Sequence, residues 1–532
     1  MKNQKLVLAA GAASMLAAIT LLSACGNSSS SKQDNSSNKD FTVATVRWAD
    51  WGNDYTKFPN QLAKEAGINV KWNTYLNADW GDKKSTLMAG GNLPDAFMGS
   101  ITFTDQEIAQ NQSNFIPLEK YVKDMPNLQK AMKKNPALKA MITSPDGHIW
   151  SLPKEAPMRP IIANQLFINK TWLDKLGLQM PTTYDEFVKV LEAFKTKDPN
   201  GNGKADEIPY GTGNFDPTMS YTLPFGVLRG ADNSNEMMML KGKPAYIRST
   251  DNFKQGIEAM HDAFTKGLID PELYTLDPTQ AQAKLMADTE TVGVSVGWTT
   301  DATFGKNAKD YVALPALKGP DGNQYVMSDP DHFNQGRDEF MVTTHAKNVK
   351  ALMKWADKFY TNDAAIQNYY GAFGVGTEKS GDAYKVLKPT GDNSADTQAW
   401  INSLRDFGPK SWDNSLNDKV TFEDPTNGDA QKLKMDAELK QYARPAFPSV
   451  TYTNDELHTN DELHTNDELQ KIAQVYPDLS SYTTQETAKW VTKGGIDKDW
   501  NAYIAKLNQM GLKDYLKIQT GAFDRYQKAL GK

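Results

Sequence analysis

The sequence predicts an α/β protein whose sheets are covered by helices, with a helix-rich C-terminal part. Three observations carry this reading. Strand-like stretches at 41–46, 69–75 and 93–98 alternate with helix-periodic runs at 55–66 and 82–89. That β-α-β-α-β rhythm implies a mainly parallel sheet. A second series, with strands expected at 148–152, 161–169 and 291–297, interleaves with helices at 171–176 and 183–196. Helical periodicity then dominates the last third. A chain of 532 residues leaves room for more than one core.

The elements follow from local chemistry. The first strand, FTVATV, alternates apolar and small residues and runs into the polar-aromatic loop R-W-A-D-W-G-N. Asp146-Gly147 forms a turn into the strand at 148–152, which Pro153 closes. The helix at 171–176 stops at Gly177, a residue free to take a left-handed conformation. Thr183 and Glu186 stand at capping-box spacing before the helix that reaches about residue 196. A helix at 251–266 ends at Gly267, and the strand TVGVSVG delivers Trp298 at its end. A strand at 339–343 and an amphipathic helix at 348–360 follow.

The N-terminus reads as a targeting segment. Lys2 and Lys5 precede an apolar run from 6 to 22, and L-S-A-C then forms a small-residue cleavage site ending on Cys25. This pattern resembles a bacterial lipobox, which makes 1–24 a signal peptide and Cys25 the lipid-bearing first residue. Cys25 is the only cysteine, so no disulfide framework exists. Residues 25–40 continue as a polar, low-complexity stretch that reads as a flexible tether. The formal charge of −6, without a concentrated basic stripe, argues against nucleic acid as a partner.

The stretch D-P-N-G-N-G-K-A-D-E at 198–207 is the most informative motif. Oxygen-bearing side chains fall at alternate positions on Asp198, Asn200 and Asn202, then on Asp206 and Glu207. Hard cations such as Ca²⁺ take six to eight such oxygens. Gly203 occupies the turn position of an EF-hand loop, and Lys204 offers its backbone carbonyl. The pattern departs from an EF-hand at position 12, where Pro209 replaces the glutamate, so Glu207 is the candidate bidentate ligand. The competing reading is an Asn-Gly surface turn.

Ligand chemistry is expected beyond the carboxyl ends of the strands. The chain is rich in aromatics, at 10% with 12 Trp and 21 Tyr. Such rings serve cores but also cover the apolar faces of sugars. Trp48, Trp51, Phe225 and Trp298 are the stacking candidates; Asp50, Asn53, Asp95, Glu155, Arg159, Asn214 and Asp216 are the hydrogen-bonding candidates. The chain carries no H-E-x-x-H and no phosphate-binding loop. Paired carboxylates leave a secreted glycoside hydrolase open as an alternative. The hexapeptide T-N-D-E-L-H, repeated from 453 to 470, is too short for a solenoid and reads as a duplication lengthening a surface loop.

The run W-L-D-K-L-G-L, P-T-T-Y-D-E-F and D-P-N-G-N-G-K-A-D-E-I-P, spread over 172–209, resembles the extracellular solute-binding proteins of carbohydrate ABC importers. It looks most like their larger, calcium-loop-bearing branch, and in particular like streptococcal fructo-oligosaccharide-binding lipoproteins. The resemblance implies a two-lobe, periplasmic-binding-protein-like type II fold with a hinge. Lobe 1 would begin with 41–158 and lobe 2 with 159–311, while 312–532 would cross between them and be mostly helical. It implies a structural Ca²⁺ on Asp198, Asn200, Asn202, the Lys204 carbonyl, Asp206 and Glu207, away from the sugar. It implies a non-enzymatic monomer, lipid-anchored at the outer face of the cell membrane, that hands an oligosaccharide to permease subunits. A surface adhesin is the non-enzymatic alternative.

Overall fold

The computed structural model describes residues 37–144, 147–211, 213, 216–229, 235–328, 335–391, 393–448 and 463–529. Cys25, the signal segment and most of the tether lie outside the described residues, as do Asn214 and residues 453–462 of the hexapeptide repeat. The third hexapeptide copy falls in the helix Leu463–Lys493.

The strands run in chain order as β1 (Asp40–Arg47), β2 (Asn69–Leu76), β3 (Ala96–Met98), β4 (Leu152–Glu155), β5 (Gln165–Asn169), β6 (Ile208–Tyr210), β7 (Met237–Leu240), β8 (Lys243–Tyr246), β9 (Val292–Gly297), β10 (Tyr311–Ala313), β11 (Gln335–Val342), β12 (Thr377–Ser380), β13 (Ala383–Val386) and β14 (Val420–Phe422). They form a first sheet in the order β2-β1-β3-β11-β4 and a second in the order β10-β5-β9-β6. A small sheet, β12-β13-β14, and the hairpin β7-β8 complete the set.

Both main sheets are mixed, which corrects the mainly parallel sheet read from the sequence. β1 is parallel to β2 and β3, as the local rhythm demands. β11 then inserts antiparallel between β3 and β4 from far along the chain. In the second sheet β5 is antiparallel to β9 and β10, while β6 is parallel to β9. The strand expected at 148–152 is instead β4, with Pro153 inside it. β4 is an edge strand, where a residue without an N–H is tolerated. The strand expected from 161 begins only at Gln165, because the Asp436 carboxylate takes the Ile161 and Ile162 amides at 2.9 and 3.0 Å. Helices dominate the described part of the C-terminal remainder, which also supplies β11 and all of the small sheet.

Local signals set the helix ends. Thr183 and Glu186 make both bonds of a capping box on the helix Tyr184–Thr196. Gly177 ends the preceding helix at φ +65°.

The two sheets carry separate cores. Val43, Phe340, Val342 and Trp355 sit in one; Ile168, Trp172, Val294 and Tyr210 sit in the other. The C-terminal helices Leu463–Lys493, Ile496–Gln509 and Leu512–Ala529 add Trp490, Tyr503 and Tyr515 to the second core. Truncating a fully buried Trp of this kind to Ala costs about 3–5 kcal/mol. The chain passes between the cores after β4, after β10 and again after β14. Among the described residues no helix is long and apolar enough to cross a membrane.

Candidate functional site

β1 and β9 each deliver a tryptophan just past their carboxyl ends, Trp48 and Trp298. Between these ends lies the segment 395–429, which sequence reasoning did not assign to a site. The helix Ala395–Asn402 presents Asp396 and Trp400; the following loop presents Arg405, Asp406 and Phe407. Trp51 stacks on Trp400 with centroids 5.1 Å apart, and Trp48 tilts against Phe407 at 6.0 Å. Trp48 remains 51% exposed, an apolar surface open to a ligand.

Arg47 pins this wall. Its guanidinium donates to the Trp400 carbonyl and, at 3.0 Å, to the Ser403 carbonyl. It also lies over the rings of Tyr55, Trp51 and Trp400 at 4.2, 5.5 and 5.2 Å. Burial pulls the Arg47 guanidinium down to about 10, so it still carries its charge at neutral pH.

A cavity of about 190 Å³ opens beside Trp400. Trp298 and Arg159 line it from the second sheet and the first crossing segment, while Tyr370, Asp396, Arg405 and Asp429 line it from the C-terminal part. Ion pairs order its polar groups. Arg405 bonds Asp396 at 3.0 Å and Asp429 at 2.8 Å, and Arg159 meets Asp406 at 2.8 Å. Burial alone would raise the Asp406 carboxyl, but Arg159 and Arg405 hold it below the ordinary carboxylate range. Met158 and Arg405 hold φ of +56° and +54°, positions costly for residues other than glycine. Packing and ion pairing over-determine Arg405, whose guanidinium lies 4.1 Å from the Tyr369 ring. The cavity thus offers aromatic faces, fixed carboxylate acceptors and guanidinium donors, a set suited to a neutral polyhydroxylated ligand.

The sequence-derived candidates separate into two groups. Arg159 and Trp298 line the cavity, and Trp48 and Trp51 pack on its aromatic wall. Asp50 and Asn53 lie exposed on the same loop, Asp50 accepting from the Gly52 amide at 3.0 Å. The other described candidates hold structure together. Asp95 precedes β3 at the opposite end of the first sheet and accepts the Thr42 amide and hydroxyl at 2.7 and 2.9 Å. Glu155 is buried, accepting from Asn135 and Ser411 at 2.8 and 2.9 Å; burial raises its carboxyl. Asp216 caps the short helix Pro217–Tyr221. Phe225 packs edge-on to Tyr184 in the core. The sequence reading expects these residues beyond the carboxyl ends of strands, whereas their partners lie within the packed structure.

Sequence reasoning found no G-x-S-x-G, yet G-V-S-V-G at 293–297 is such a string. Ser295 sits mid-strand in β9 and is fully buried. A nucleophile of that motif needs an exposed strand-to-helix turn.

The loop 198–207 lies apart from this cavity. Asp198 takes φ +47° and its carboxylate accepts the Gly201, Asn202 and Gly203 amides at 2.9–3.1 Å. Gly201 and Gly203 supply the φ of +75° and +73° that curl the loop. Asn200 and Asn202 both donate to Asp206. Glu207 is 2% exposed, and its Oε1 has no hydrogen-bond partner. Burial, then the Asp206 and Asp198 charges, raise its carboxyl. Among the described residues no three His, Cys, Asp or Glu side chains form a ready metal cluster. An orphaned buried oxygen among mutually repelling acids is nonetheless what a bound cation would relieve, so the donor set fits Ca²⁺.

Residues 49–366 match the family of bacterial extracellular solute-binding proteins, and the chain belongs to that family. It is 31% identical over 555 aligned positions to the fructooligosaccharide ABC transporter substrate-binding protein FusA of Streptococcus pneumoniae, covering 96% of this chain and 97% of that one. Its fold matches FusA in complex with kestose at a TM-score of 0.77 and 30% identity, over 92% of this chain and all of the other. A FusA EF-hand mutant in complex with fructo-nystose matches with the same TM-score, identity and coverage. The two-lobe α/β architecture is therefore that of a solute-binding protein.

Proposed function

We propose that this chain is the lipid-anchored receptor of a carbohydrate ABC importer. It captures an oligosaccharide, best a fructo-oligosaccharide, between its lobes and hands it to permease subunits in the membrane. The carrying observation is the cavity between the carboxyl ends of β1 and β9, with Trp298, Trp400 and Tyr370 as rings and Asp396, Asp429 and Arg159 as polar partners. The similarity to FusA supports the sugar class.

In this reading the rings cover apolar sugar faces while the ion-paired side chains accept from and donate to hydroxyls. The ion pairs fix those groups before the ligand arrives, which lowers the ordering cost of binding. Lobe 1 begins with 41–158, lobe 2 with 159–311, and closure turns about the crossing segments. Cys25 anchors a monomer at the outer face of the membrane through the tether. Ca²⁺, held by Asp198, Asn200, Asn202, the Lys204 carbonyl, Asp206 and Glu207, braces lobe 2 without touching sugar; the matched FusA EF-hand mutant supports a loop of this kind in the family.

Calorimetry against fructo-, malto-, raffinose-type and xylo-oligosaccharides tests the reading, with chromatography of the recovered sugar. Heat with fructans and unshortened sugar is the expected result. Heat with a different sugar alone would discard the fructan assignment. Shortened products would point to a glycoside hydrolase, and no heat with any carbohydrate would overturn the receptor.

A further inference from the structure

Lys432 lies in the helix Gly428–Leu439 and is fully buried. Its ammonium donates to the Ala163 carbonyl in the first crossing segment and lies 4.2 Å from the centroid of the Trp298 ring. It forms no ion pair among the described residues. One turn further along, Asp436 spends its Oδ1 on the Ile161 and Ile162 amides. One helix therefore grips the crossing segment at three consecutive residues and touches the cavity tryptophan through the same lysine. Arg159, on that segment, approaches the same ring at 5.4 Å.

We infer that Lys432 is a positioning residue for Trp298, and that its proton is a switch: charged, it fixes the indole and the crossing segment together; neutral, it releases the ring. The geometry is a cation–π contact in a desolvated place, where such contacts are strongest. Burial, partly countered by Asp436 and reinforced by Arg159, pulls the Lys432 ammonium down to about 7. Those are the ionisable groups acting on it, one from its own helix and one from the crossing segment; the turn just past β9 contributes the uncharged Trp298. A charge that changes near neutrality thus sits against a ring of the candidate site. Arg159, pushed above the ordinary guanidinium value, stays charged throughout.

The test begins with the ligand-free protein. Intrinsic fluorescence followed from about pH 5.5 to 9 is expected to show a single-proton change near the lowered lysine value. The change should vanish in Lys432→Arg, which keeps its charge, and in Trp298→Phe, which removes the reporting indole. Lys432→Met should also lack it; if that variant does not fold, the other two still decide. A wild type without the transition, or a transition surviving in Lys432→Arg or Trp298→Phe, overturns the inference.

The second arm rests on the oligosaccharide reading. Wild type should bind kestose on the order of three- to tenfold more weakly above the transition than below it, the scale of one cation–π contact. Lys432→Arg should bind equally on both sides. Absence of kestose binding at every pH would count against the sugar assignment and leave the fluorescence result standing. Equal wild-type affinity on both sides would overturn the claim that the switch acts on ligand.

Discussion

Trp51, past the end of β1, stacks on Trp400 of the helix Ala395–Asn402 with planes 19° from parallel. This contact ties the first strand of the chain to the segment that walls the cavity. Trp400 is 6% exposed while Trp51 is half-buried, so the two sides of the stack are unequal. Trp400→Ala should cost about 3–5 kcal/mol of stability in urea unfolding, and Trp51→Ala less than half of that. Equal losses would make the 48–53 loop part of the core.

Arg47 gives a second test of the same wall. Removing its side chain leaves the carbonyls of Trp400 and Ser403 without their donor. Arg47→Ala should lower stability by about 1–3 kcal/mol for each buried carbonyl left unpaired. Arg47→Lys, which keeps charge but loses the planar fork, should recover only part of it. Full recovery by lysine would show that charge alone holds the wall.

The metal loop is tested by chelation. An ion bound only to the native state adds about 2.7 kcal/mol at a hundredfold excess over its dissociation constant. Chelator should therefore lower the melting temperature of wild type and leave Asp198→Ala and Glu207→Gln unchanged. No response in wild type, with no calcium by elemental analysis, would reduce 198–207 to a turn.

Asp413 carries a pH dependence with a definite sign. Its hydrogen bond from Lys134, with Ser415 assisting, lowers its carboxyl to about 2. An unfolded Asp titrates at about 3.9. The group thus contributes stability above that value and loses it as pH falls through about 2. NMR titration should find the low value in wild type and an upward move in Lys134→Ala; an unmoved Asp413 would reject the pairing.

What the sequence disclosed was local. The capping box of Thr183 and Glu186, the stop at Gly177 and the parallel β1-β2-β3 unit each depend on neighbours within a few dozen residues. β11 was legible as a strand, but its place between β3 and β4 was not, because pairing partners so distant leave no local mark. The site divides the same way. Trp298 was visible as the residue ending a small, β-rich run, and Arg159 as a charge beside a crossing. Trp400, Arg405 and Asp406 acquire meaning only when the loop after Ala395–Asn402 folds back onto the ends of β1 and β9. Phe225, a stacking candidate in the sequence, instead packs edge-on to Tyr184 in the core, a contact with a residue some forty positions away that leaves no local mark.

Lipidation is tested outside the folded lobes. Cys25→Ala should leave an uncleaved precursor or a protein released from cells, read by membrane fractionation and mass spectrometry. Wild-type lipid on that variant would remove Cys25 as the anchor.

Capture of sugar at the Trp298 cavity is tested most directly by titrating kestose into wild type and Trp298→Ala, each checked for an unchanged melting temperature. Wild type should give saturable heat, and Trp298→Ala should bind about 1–3 kcal/mol more weakly, as truncation of a buried aromatic hot spot does. Equal affinity in the two proteins would contradict capture at this cavity.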